Sequence, residues 1–306
     1  MGIGLARPTI LVTAFNRPEL LHSLLKVVQE QDLRLCLNVD GYEGKELSKE
    51  TLEANQACRQ IASENKNNFY KLWMEKENKG TGSVGFAIDK AFEYAESVII
   101  IEEDILPSND FFEFVTLCLT RFEEDSRIGT ITGMNHVPED HMSFPGKSLR
   151  LSQYFDAWGW ATWKSRWRRY RQNQPYDIRN IVWPRTSRNF LIRKSWQERI
   201  QHAQLNPELG FWEYEFIPAF WTNKWMSIVP NRNLAINRGF GINATHTRLK
   251  PKWIKDNFEN MTLEIIELPK SPDLKADSWT LKNVYNKSPN ILMKTQLKSL
   301  VRNLSN

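Results

Sequence analysis

Three carboxylates in a row, Glu102-Glu103-Asp104, follow directly on the apolar run Val98-Ile99-Ile100-Ile101. Adjacent acids at a strand end repel one another. A hard cation with oxygen ligands relieves that repulsion, and Mg²⁺ or Mn²⁺ commonly bridges a protein carboxylate to substrate phosphates. The plainer alternative is that the acids solvate the strand end or cap the next helix. Three further polar segments begin where apolar runs stop: Thr13-Ala14-Phe15-Asn16-Arg17, Asn38-Val39-Asp40-Gly41 and Glu77-Asn78-Lys79-Gly80. Later, Trp212-Glu213-Tyr214-Glu215 offers two carboxylates flanked by aromatic rings, which stack on sugars and raise a carboxyl pKa by desolvation. Either glutamate therefore suits a general base, with Asp156 in reserve. Of five histidines, His22, His136, His141 and His202 carry no assigned role, and a lone histidine is more often structural than a ligand.

These groups need a scaffold, and the hydrophobic pattern supplies one. Thr9 to Ala14, Leu33 to Val39, Phe69 to Met74, Val98 to Ile101 and Ile128 to Thr132 read as strands. Between them lie helical patterns: Leu20, Leu21, Leu24, Leu25 and Val28, then residues 46–64, 84–95 and 110–122. Asn16 is the expected cap of the first helix, with Pro18 in its first turn. The resulting βαβαβαβαβ order over residues 9–133 predicts an open α/β sheet, with the doubly apolar run Val98 to Ile101 at its covered centre. Ligands of such sheets bind beyond the carboxyl ends of the strands, where the polar segments fall. The second half is less regular. It predicts a Trp-rich helix near 160–170, a helix over 187–204 with Ile192, Trp196, Ile200 and Ala203 as core stripe, and a third over 211–225. A loose basic arm over 249–278 and a basic amphipathic helix over 291–304 complete the chain.

At 306 residues, with 41% hydrophobic and 25% charged, the composition excludes disorder and fibres. No apolar run approaches the ~20 residues of a membrane span. The net charge of +5 hides an asymmetry: residues 1–150 carry 16 Lys+Arg against 24 Asp+Glu, residues 151–306 carry 25 against 12. Nine of the twelve tryptophans lie between Trp158 and Trp225, so composition changes where charge does, near residues 140–155. An acidic half suits a cation and a basic half suits phosphates or an anionic membrane. Three widely spaced cysteines without a Cys-x-x-Cys pair, and a first stretch without a signal-peptide pattern, point to the cytoplasm.

The segments Val12 to Leu21, Val39-Asp40-Gly41, Asn78-Lys79-Gly80 and Glu102-Glu103-Asp104 with Phe111-Phe112 resemble glycosyltransferases of the GT-A fold, in the broad family-2 style. The acidic motif is similar to that of the N-acetylglucosaminyltransferase that starts complex N-glycans. Trp158-Gly159-Trp160-Ala161-Thr162-Trp163, Trp212-Glu213-Tyr214, Asn237-Arg238-Gly239-Phe240-Gly241 and Ala244 to Thr247 resemble bacterial sugar transferases of the hemolytic-protein-like group. The resemblance covers residues 9–250. It implies a Rossmann-like open mixed sheet with a nucleotide-sugar-binding half (1–140), a Trp-rich acceptor-binding and catalytic half (141–250) and a basic extension (251–306). It further implies that Thr13, Phe15 and Arg17 flank the nucleotide, Asp40 bonds the base, and Asn78, Lys79 and Asp89 complete the pocket. Glu102 would lie near the sugar, Glu103 near the ribose and Asp104 on Mn²⁺ or Mg²⁺, joined by His246. Trp158, Gly159 and Trp160 would line the acceptor cleft. Many members have Asp-x-Asp where this chain has Glu-Glu-Asp, which leaves Asp104 as the clearest ligand.

The expected reaction is sugar transfer, with inversion, from a UDP-sugar or related donor to a saccharide or lipid-linked saccharide. Peripheral contact with the inner face of a membrane through the basic C-terminal segment goes with it. Two other classes stay open. Gly80-x-Gly82-x-x-Gly85 matches the dinucleotide fingerprint of an oxidoreductase, although five polar residues, Glu75 to Lys79, precede its first glycine. Residues 158–171 interleave tryptophans with Lys164, Arg166, Arg168, Arg169 and Arg171, as a noncatalytic saccharide- or nucleic-acid-binding platform would. Helical spacing of Trp160, Trp163 and Trp167 favours a core stripe instead, so no nucleic-acid partner is expected.

Overall fold

The computed structural model describes residues 7–80, 82–206, 212–240, 250–263 and 267–285. Its first half alternates β1 (Thr9–Ala14), α1 (Pro18–Gln29), β2 (Arg34–Val39), α2 (Lys49–Glu64), β3 (Lys71–Met74), α3 (Gly82–Ala91), β4 (Ser97–Glu102), β5 (Ile105–Pro107), α4 (Asn109–Arg121) and β6 (Ile128–Thr132). Helix α1 buries Leu21, Leu24, Leu25 and Val28, the spacing of one helical face. Its cap position falls on Arg17 and not on Asn16, and no side chain caps it, since a guanidinium has no acceptor to offer; Pro18 leaves one fewer unpaired N–H in the first turn. The Ser48 and Ser108 hydroxyls cap α2 and α4 by accepting the Thr51 and Phe111 N–H groups.

The second half contributes β7 (Leu149–Ser152), β8 (Trp160–Trp163), α5 (Lys164–Gln172), α6 (Phe190–Leu205), α7 (Trp212–Thr222), β9 (Met226–Pro230), β10 (Ala235–Asn237) and α8 (Leu274–Thr280). The helix expected near residue 160 starts only at Lys164; residues 160–163 are a strand. In a helix Trp160 and Trp163 would share a face. As strand residues of opposite parity they enter opposite cores, Trp163 packing with Ile99 and Ile101, Trp160 with Ile100 and Phe216. The expected loose arm over 249–278 ends in α8, capped by Asp273. The expected helix over 291–304 lies outside the described residues.

Strand order is β3-β2-β1-β4-β8-β6-β9-β7. Strands β3, β2, β1 and β4 are parallel, and β8 runs antiparallel between β4 and β6. The result is a mixed, open α/β sheet. Strands from beyond residue 140 thus belong to the same sheet as the first four. Along β4, Ile99 and Ile101 enter the core under α1, α2 and α4, while Val98 and Ile100 enter that under α3, α5, α6 and α7. Burial on both faces is why this strand is apolar throughout. Cys36, Cys58 and Cys118 are buried thiols. Among the described residues no helix is long and apolar enough to cross a membrane.

Candidate functional site

Parallel pairing brings the carboxyl ends of β1, β2 and β4 to one edge, with Thr13 opposite Asn38 on one side and Glu102 on the other. The pairing continues past the strands: Asp40 N–H donates to Ala14 O (2.8 Å) and Glu103 N–H to Thr13 O (2.9 Å). Buried Asn55 of α2 pins two of these loops, donating to Phe15 O at 2.8 Å and Asp40 O at 3.0 Å. Asp40 Oδ1 in turn accepts Gly41 N–H (3.0 Å) and Lys79 N–H (3.1 Å), and Asn78 donates to Gly41 O at 2.9 Å. Burial raises the Asp40 pKa against these bonds. Thr13, Phe15, Arg17, Asp40, Asn78 and Lys79 therefore surround one edge of the sheet.

The acidic triplet is held by a second, two-stranded sheet. Antiparallel pairing of β5 with β10 sets Ile105 against Asn237 and leads Arg238 N–H to Asp104 O at 2.8 Å. The Arg17 guanidinium pairs with Asp104 Oδ2. Gly239 lies directly over the same carboxylate, where a Cβ would collide with Oδ2. Glu102 and Glu103 are half-buried beside it. Burial pushes the Glu102 pKa well up, reinforced by the charges of Asp104, Glu213 and Glu103. Burial and Asp104 push Glu103 up to about 7. The site thus concentrates negative charge that protons, Arg17 or a cation must balance.

Helix α7 delivers Glu213 to this cluster. Residues two apart on a helix point some 200° apart, and the electrostatics follow: Glu213 feels Asp156 and acts on Glu102, whereas Glu215 feels Arg171 of α5. Burial, with Asp156 adding to it, pushes Glu213 up to about 7. Asp156 is fixed at both oxygens, accepting Trp158 N–H on Oδ1 (3.0 Å) and meeting His136 Nε2 at 2.8 Å on Oδ2. Trp158 stacks on Trp253 (centroids 6.0 Å apart, planes 15°) and meets Phe240 edge-on. His136 in turn packs edge-on against Trp253 at 4.6 Å. A half-buried aromatic wall therefore adjoins the acids.

Other candidates fall elsewhere. Trp160 is fully buried and stacked on Trp212, so of the expected pair of tryptophans Trp158 alone keeps surface. Gly159, at φ +69°, makes the turn between them, packing against Ile105 and Phe111. The Asp89 carboxylate is engaged by Trp167 Nε1 (2.6 Å) and by Arg171 Nε and Nη2 (3.0 and 2.7 Å), which ties α3 to α5. His246 lies outside the described residues.

The rival classes fit less well. Gly80 follows β3 only after residues 75–79, and the next strand, β4, is separated from β3 by β2 and β1. A dinucleotide fingerprint needs its first glycine at the strand end. Trp163 and Trp167 are buried like Trp160, so they offer bases no face to stack on. Conversely, Asn55, His136, Trp253 and the contact of Gly239 with Asp104 escaped sequence reasoning. His136 had a local signal, since it follows β6, whose carboxyl end shares the edge of β4.

Among the described residues, no three His, Cys, Asp or Glu side chains converge as a metal cage. Mg²⁺ and Mn²⁺ seldom need one: one or two carboxylates suffice when phosphates and water fill the remaining positions. The Asp104 carboxylate, set among acids that repel one another and balanced on Oδ2 by Arg17, is the donor type such a site uses.

No protein-family model and no curated protein matches the sequence. Solved structures similar to it include GalNAc-T7 with UDP, GalNAc and Mn²⁺ (10% identity, TM-score 0.46, over 74% of this chain and 43% of that one). S. aureus TarS is similar at 11% identity and TM-score 0.38, over 72% and 57%. A CMP:2-keto-3-deoxy-manno-octonic acid synthetase with CTP is similar at 13% and 0.35, over 64% and 86%. The chain spans less than two thirds of the length of the first two.

Proposed function

We propose that the chain is a glycosyltransferase moving a sugar from a nucleoside-diphosphate sugar, in first place a UDP-sugar, to a saccharide acceptor with inversion. The observation that carries this reading is the junction of Glu102, Glu103 and Asp104 with Arg17 at the carboxyl end of β4, with Glu213 of α7 near enough for its charge to act on Glu102. The nucleotide lies over the ends of β1 and β2, with Asp40 and the loops of Phe15 and Asn78 around the base and ribose. Arg17 supplies positive charge to the diphosphate. Asp104, with His246 as a further ligand, would hold a divalent cation, which would supply charge neutralisation for the leaving group.

Glu213 accepts the proton of the acceptor hydroxyl as its oxygen bonds to the anomeric carbon; the bond from that carbon to the diphosphate breaks, and the electron pair leaves with the nucleotide. A pKa of about 7 suits this step, because the base is substantially ionised at neutral pH yet takes a proton readily. Trp158 and Trp253 offer the acceptor ring an apolar wall.

The test is release of nucleoside diphosphate from a panel of nucleotide sugars with Mn²⁺ and an oligosaccharide mixture. Turnover that requires the cation and vanishes in a folded Asp104→Asn variant supports the reading. Full turnover by that variant, or no binding of any nucleotide sugar, refutes it.

A further inference from the structure

From Ile178 to Gln197 the chain carries Arg179, Arg185, Arg188, Arg193 and Lys194 and no acidic residue. The outer surface of this stretch is also apolar. Phe190 and Leu191, the first two residues of α6, are 74% and 71% exposed, and Val182 is 46% exposed. Packing of the helix does not require them. Trp196, Ile200 and Ala203 anchor its inner face, and Asn189 caps it by accepting Leu191 N–H at 2.8 Å. Arg193 Nε, donating to Ser187 O at 2.9 Å, clamps the preceding turn (Arg185–Ser187) to the helix. Arg185, Arg188 and Lys194 are exposed around the apolar pair. The corner thus exposes large apolar side chains together with cations close to them in the chain.

We propose that this corner is a membrane-contact surface, with Phe190, Leu191 and Val182 entering the boundary between headgroups and acyl chains of an anionic bilayer while Arg185, Arg188 and Lys194 pair with lipid phosphates. Two features select that occupant. Around Phe190 and Leu191 the charges of Arg185, Arg188 and Lys194 are of one sign, with Arg179 already paired to Asp177 and Glu198 a turn farther along α6, and peripheral attachment sums apolar burial with this attraction. Side chains so exposed project from the surface; a folded partner would need a matching pocket, whereas a fluid lipid surface needs none. Helix α6 packs on α7, so the surface belongs to the same part of the molecule as Glu213.

Co-sedimentation of the full-length chain with phosphatidylcholine vesicles, with and without phosphatidylglycerol, tests this at low and high salt. Neither donor nor metal is present, so the outcome is independent of whether the protein transfers sugar. Binding to the anionic vesicles alone, weakened by salt, is expected. Arg185→Gln with Arg188→Gln should weaken it about thirtyfold, at about 1 kcal/mol per cation. Phe190→Ser with Leu191→Ser should weaken it about tenfold or more. All four side chains are exposed, so thermal unfolding of both variants should match wild type. The proposal is overturned if the wild-type chain ignores anionic vesicles or if the variants bind them equally well. It is also overturned if the wild-type chain self-associates and Phe190→Ser with Leu191→Ser dissociates it, which would make the corner a contact between copies of the protein.

Discussion

Replacing Glu213 by glutamine should make the protein inactive and, at alkaline pH, more stable. Burial raises this carboxyl from 4.5 to about 7. Below 4.5 it is protonated in folded and unfolded chains alike, so the raised pKa changes nothing. Between the two values the unfolded chain ionises while the folded chain keeps its proton, so stability falls as pH rises. Above about 7 the folded state carries the full burden of a desolvated charge among acids. At about 1.4 kcal/mol per pKa unit, that burden is about 3 kcal/mol. Glutamine keeps the shape and removes the charge. Glu213→Gln should therefore match wild type near pH 4.5 and exceed it by about 3 kcal/mol near pH 9 in urea unfolding, while transfer falls by about 10²- to 10⁴-fold. A stability difference that does not change with pH would show that Glu213 is not held in a desolvating, acidic setting, and undiminished transfer would remove it as the base.

Asp89→Ala should lower the melting temperature by a few degrees, about 1 kcal/mol, since the ion pair with Arg171 is partly exposed and screened. The donor KM should stay unchanged, and a rise in KM without loss of stability would instead return Asp89 to the nucleotide pocket. Gly133→Ala forces a Cβ into the Phe111 ring and should cost about 1–3 kcal/mol by thermal denaturation; unaltered stability would contradict that close approach. His136→Gln removes the group that meets Asp156 Oδ2. It should raise the acceptor KM by about tenfold while leaving hydrolysis of the donor intact, and an equal loss of both would place His136 in the chemistry itself.

Much of the first half is legible because its signals are local. The short, continuously buried runs of β1 and β4, the apolar stripe of α1 and the polar residues beyond each strand are patterns set within a few residues of chain. The second half hides its signals. Trp160, Trp163 and Trp167 have helical spacing, yet the first two are strand residues, because the gap between β4 and β6 accepts a strand that is buried on both faces. No local pattern reports that gap. Likewise Asn237-Arg238-Gly239 reads as a motif, but its seat on Asp104 comes from β10 pairing with β5 across more than a hundred residues.

The order of residues alone therefore determined the alternating scaffold, the acidic strand end and the aromatic-flanked glutamates, all consequences of periodicity and side-chain chemistry. Tertiary structure decided which of those groups meet. It turned Glu213 toward Glu102 and Glu215 toward Arg171, joined His136 to Asp156, and gave Asp89 to Trp167 and Arg171. Such pairings follow from strand order and helix docking, which satisfy the burial of the whole chain at once, so no short window of sequence contains them.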